Sequence, residues 1–64
     1  MVRVVVMGKD EEKGAIFTHT AKSALAVVED GVLLIRTVEE SLAEHEYTWP
    51  ESMWGTYRIK AIDD

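Results

Sequence analysis

Cysteine is absent from the chain. That excludes a disulfide scaffold and any thiolate metal site. No apolar run approaches the roughly 18–20 residues that cross a bilayer as a helix, so no membrane partner is expected. Cations are scarce: 7 Lys and Arg face 12 Asp and Glu, a formal charge of −5 at pH 7. A general phosphate-backbone binder is usually basic, so this balance argues against nucleic acid as a partner. No glycine-rich phosphate loop is present, because Gly8 and Gly14 bracket an acidic stretch. Linkers, internal repeats and low-complexity segments are also missing.

What remains is a short chain rich in strand-forming residues. Hydrophobic residues make up 47% of the 64 positions, which argues against disorder. The length allows one domain, residues 1–64. Such a domain buries only about 60% of its unfolded surface, and small domains often gain stability by oligomerising. A homo-oligomer is therefore expected. Met1 reads as a natural start. The run from Val2 to Met7 is too short for a signal peptide and is followed at once by charges. A cytoplasmic location is the default expectation.

Alternation of side chains predicts five to six short antiparallel strands. Residues 2–7 are nearly all β-branched and apolar on both faces, as in a central strand. Residues 8–14 read as a solvated hairpin loop. In residues 15–20, Ile16, Thr18 and Thr20 share one face, and Phe17 and His19 the other. Residues 21–29 fit a helix with Ala21, Leu25 and Val28 on one stripe, or a strand. Asp30-Gly31 favours the strand, because a type I′ hairpin turn needs positive φ at both central residues. That hairpin would set Val28 against Leu33 and Ala26 against Ile35. Residues 38–45 also fit a short helix, because Thr37 with Glu40 and Ser41 with Glu44 have capping-box spacing. Residues 44–49 and 56–62 read as strands. Matching Glu44 and Glu46 to Arg58 and Lys60 predicts a C-terminal hairpin, at about 0.2–1 kcal/mol per cross-strand pair. Asp63-Asp64 reads as a solvated tail. The expected fold is mainly β, a small antiparallel barrel or roll with one short helix at residues 21–29 or 38–45. Closing or pairing would remove its strand edges.

No catalytic constellation stands out. His19 and His45 lie in no metal-ligand spacing, and a zinc site needs three or four converging ligands. Ser23, Ser41 and Ser52 sit in no nucleophile elbow. Paired glutamates do glycosidic chemistry only across a cleft, which so short a chain seldom builds alone. The expected chain is therefore not an enzyme and uses no metal or cofactor.

Binding has more support. Tyr47, Trp49, Met53, Trp54 and Tyr57 crowd into one segment, with Glu44 and Glu46 beside them. Trp, Tyr and Met are enriched in interface cores. At least one tryptophan is expected to be exposed or interfacial. An aromatic patch rimmed by acid would suit a protein partner with a basic surface. The leading reading is a small, acidic, self-associating protein-interaction module, acting as an accessory or inhibitor of a larger partner. The alternative is an oligomer that binds a nucleotide-like small ligand in a pocket of Trp49, Trp54 and Tyr57, with Arg36, Arg58 or Lys60 on its anion.

Overall fold

The computed structural model describes residues 1–10 and 13–62. It contains strands β1 (Val2–Met7), β2 (Ala15–Ala21), β3 (Ser23–Glu29), β4 (Val32–Val38), β5 (Glu44–Trp49) and β6 (Thr56–Ala61). They form two antiparallel sheets, β2-β1-β6 and β3-β4-β5. The sheets are open, and the described strands do not join into one closed barrel. Glu11-Glu12 of the expected hairpin loop and the expected Asp63-Asp64 tail lie outside the described residues.

The apolar β1 takes the central place its composition calls for. Val4 and Val6 point inward and are fully buried, while Val5 and Met7 point outward and are half-buried. β4 is central in the second sheet and buries Leu33, Ile35 and Thr37. Val4, Val6, Leu33 and Ile35 form one core between the sheets, and Phe17, Ala24, Ala26, Trp49, Trp54 and Ile59 pack around it.

One stretch of chain serves both sheets. β2 runs into β3 through Lys22, whose N–H donates to the Val38 carbonyl at 2.9 Å. Ser23 already pairs with Val38, so two residues face one there, as in a β-bulge. The extra residue moves the inward face from Phe17, His19 and Ala21 to Ala24 and Ala26. A second irregularity lies between Val6, paired with Phe17, and Met7, paired with Ala15.

The Asp30-Gly31 turn forms as read. Asp30 has φ 52° and Gly31 φ 80°. Val28 meets Leu33 and Ala26 meets Ile35. Residues 21–29 therefore hold a strand, and the helix reading is corrected. A segment that ends in Val27-Val28 next to a type I′ turn finds its partner in β4 more readily than in its own backbone.

The helix over 38–45 is also absent. Thr37 is not a cap but the buried end of β4. The chain turns at once: Leu42 N–H donates to Glu39 O at 2.8 Å, and Glu39 N–H to Ala43 O at 2.9 Å. Leu42 takes φ 71° in that turn.

The C-terminal hairpin is corrected as well. β5 pairs with β4, and β6 pairs with β1. Exposed charge pairs are worth at most about 1 kcal/mol, whereas burying one large apolar side chain is worth about 1.5–3 kcal/mol. The observed pairing sets Tyr47 beside Ile35, Trp49 beside Leu33, and Ile59 beside Val4, so apolar contact decides it.

Candidate functional site

The predicted aromatic segment divides between two places. β5 alternates, so His45, Tyr47 and Trp49 share the face turned toward the first sheet. There Phe17 meets Tyr47 at 4.7 Å and Trp49 at 5.0 Å between ring centroids. His19 and His45 flank Tyr47 at 6.0 and 6.4 Å. These rings join β2 to β5 as an inter-sheet wall. Tilted pairs at such distances add about 0.5–1.5 kcal/mol each beyond buried area.

Trp54 and Tyr57 form a separate pair, 6.2 Å apart. The Trp54 indole N–H donates to the Gly31 carbonyl at 2.8 Å. That bond ties the 50–55 turn to the β3–β4 turn. Both tryptophans are half-buried against the core. Met53 and Tyr57 are exposed. Among the described residues of one chain, Trp49 and Trp54 share no ring contact.

Glu44 and Glu46 lie on the opposite face of β5 from Tyr47 and Trp49, and they do not rim the aromatics. Glu46 accepts a hydrogen bond from Arg36 Nε at 2.9 Å and also pairs with its Nη2. Both side chains are about half exposed, so the pair adds little stability. Arg36 is thereby separated from Arg58 and Lys60, which stand on the outer face of the other sheet.

A titratable cluster closes one end of the inter-sheet wall. His19 Nε2 lies 2.5 Å from Glu39 Oε1, and the Thr37 hydroxyl donates to the same oxygen at 3.3 Å. The His19 hydrogen bond holds the Glu39 carboxyl below its ordinary range. Partial desolvation opposes this, and the charge of His19, the Thr37 bond and the charge of His45 reinforce it. Among the described residues, no group of three or more His, Asp or Glu is placed to hold a metal ion.

Two features escaped the sequence reading. The first is the outer face of the second sheet. Leu25 is 59% exposed, with Val27 and Val32 also exposed around half-buried Leu34. The alternation of β3 contains this signal, since the strand is apolar on both faces. The second is Arg3, which lies opposite Lys60 and beside Arg58. Its place among valines hid it, although alternation puts it outward.

Comparison with protein-family models, with curated proteins and with solved structures finds no match to this chain. The fold and its faces define a small all-β domain with no helix long and apolar enough to cross a membrane among the described residues.

Proposed function

We propose that the chain is a non-catalytic protein-interaction module that works as a homodimer built on β3. The observation that carries this reading is the exposed apolar row of Leu25, Val27 and Val32, on a strand that pairs with β4 alone among the described residues. Such an edge is a template for strand pairing, and such a row is a liability unless covered. A second copy fits it by charge. Antiparallel pairing of β3 with itself about Ala26 sets Leu25 against Val27 of the other copy. The same register sets Lys22 against its Asp30, an opposite-charge pair at each end. Ala24 falls against Val28, which is 47% exposed in the single chain. The result is one six-stranded sheet with a continuous apolar face, and it removes the edge that a closed barrel would have removed. A dimer also suits a domain whose fully buried apolar core is so small.

The dimer would present Glu44 and Glu46 twice on its outer face, which suits a larger partner with a basic surface. Accessory or inhibitor action on such a partner is the role proposed for the assembled module.

The test is sedimentation velocity of Val27→Lys beside Thr18→Lys, a control on the outer face of the other sheet. Val27→Lys should weaken dimerisation at least tenfold, with circular dichroism unchanged, and Thr18→Lys should not. Equal behaviour of the two variants would overturn the reading.

A further inference from the structure

Charge is segregated between the sheets. The strands of the first sheet carry Arg3, Arg58 and Lys60 and no Asp or Glu. The other 4 cations and all 12 acidic residues lie elsewhere, a formal −8. The three cations also share one face. In the register, Thr20, Arg3 and Lys60 form one row across the sheet, and Thr18, Val5 and Arg58 form the next. All three cations are exposed, and among the described residues none has an ion-pair partner.

Among the described residues, nothing offsets this concentration of positive charge. Residues directly opposite in antiparallel strands have Cβ atoms about 4.5–5.5 Å apart, and like charges there repel. Arg3 faces Lys60 directly and Arg58 on the diagonal. An acidic protein with 12 carboxylates could have placed one here, and β1, β2 and β6 hold none. An external anion would relieve the repulsion, because charge-assisted hydrogen bonds from Arg to phosphate are strong and directional.

The shape of the face limits the anion. Arg3, Val5, Arg58, Lys60 and Ile62 line a shallow depression of about 260 Å³. That lies below the roughly 300–1,000 Å³ of sites that enclose drug-sized ligands. Its lining holds no aromatic ring on which a base could stack. A long polyanion would also meet the −8 of the remaining chain. We propose that this depression is a binding site for a compact phosphate-type oxyanion, an inorganic phosphate or a phosphate monoester group, held by Arg3, Arg58 and Lys60. The site lies on the sheet that the β3 dimer leaves uncovered, so it stands or falls independently of dimerisation.

The test is an NMR titration of the full chain with inorganic phosphate, against sodium chloride at matched ionic strength. Phosphate should saturably shift the backbone amides of Arg3, Val5, Arg58 and Lys60. Arg58→Gln with Lys60→Gln should lose at least tenfold in affinity, whereas Arg36→Gln, on the other sheet, should retain it. These cations are exposed, so the variants should keep the wild-type spectrum elsewhere. Arg3→Gln should raise the melting temperature without phosphate, by relieving repulsion, and should blunt the further rise that phosphate gives the wild type. Parallel titrations with glycerol phosphate and a phosphoserine peptide then distinguish a small metabolite from a modified side chain as the source. Equal shifts with chloride, shifts that persist in the double variant, or no saturable shift at all would overturn the site.

Discussion

The indole of Trp54 reaches across 23 residues to donate its N–H to the carbonyl of Gly31. This bond fastens the 50–55 turn over the hairpin turn that begins β4. Gly31 is required by its φ of 80°, in the left-handed region. Gly55 closes the same region, donating to the Met7 carbonyl at 2.8 Å, with the Gly8 carbonyl too close for any side chain. These contacts predict a folding role for Trp54. Trp54→Phe should cost about 1 kcal/mol, the usual net worth of one hydrogen bond. Trp54→Ala should cost more, but less than the roughly 3–5 kcal/mol of a fully buried ring. Urea unfolding of both variants checks this. Unchanged stability with impaired association would instead make Trp54 an interface residue.

The His19–Glu39 contact predicts an acid-side loss of stability. The folded pKa of Glu39 is lowered, chiefly by its His19 hydrogen bond. A lowered carboxylate pKa gives stability that is present above the unfolded value and is lost as pH falls through the folded one. Glu39→Gln should therefore be less stable than the wild type near neutral pH. The gap should narrow as pH drops below the ordinary carboxylate range. Thermal melts of both proteins across that range provide the measurement. A gap that is constant with pH would show that the carboxylate charge contributes nothing.

Leu42 is the described chain's most exposed large apolar residue, at 66%, and it holds φ 71°. Left-handed backbone costs a leucine about 1–2 kcal/mol, and so exposed a side chain recovers little by packing. Leu42→Gly should raise stability by about 0.5–1 kcal/mol, part of the relief being lost to the freedom of glycine in the unfolded chain. Chemical denaturation will show the gain, and a loss would mean that the leucine side chain packs usefully.

Much of the fold is legible because strands have a period of two. The bounds of β1 and β5, the Asp30-Gly31 turn and the Val28–Leu33 register all follow from alternation and turn chemistry. Strand partnering does not follow, because Glu44 and Glu46 match Arg58 and Lys60 in spacing, while Arg36 serves Glu46 equally well. Surface charge is too weak to select a register that core packing opposes. The grouping of aromatics failed for another reason. Nearness in sequence is not nearness in space, and the same alternation that places Tyr47 and Trp49 inward sends Glu44 and Glu46 outward. Phe17, far upstream, became their partner instead.

The central claim, self-pairing through β3, is tested most directly by sedimentation equilibrium of the wild-type chain from micromolar to millimolar concentration. The mass should rise from the 7.2 kDa of one chain to a plateau at twice that value. A mass that stays at 7.2 kDa throughout would contradict it.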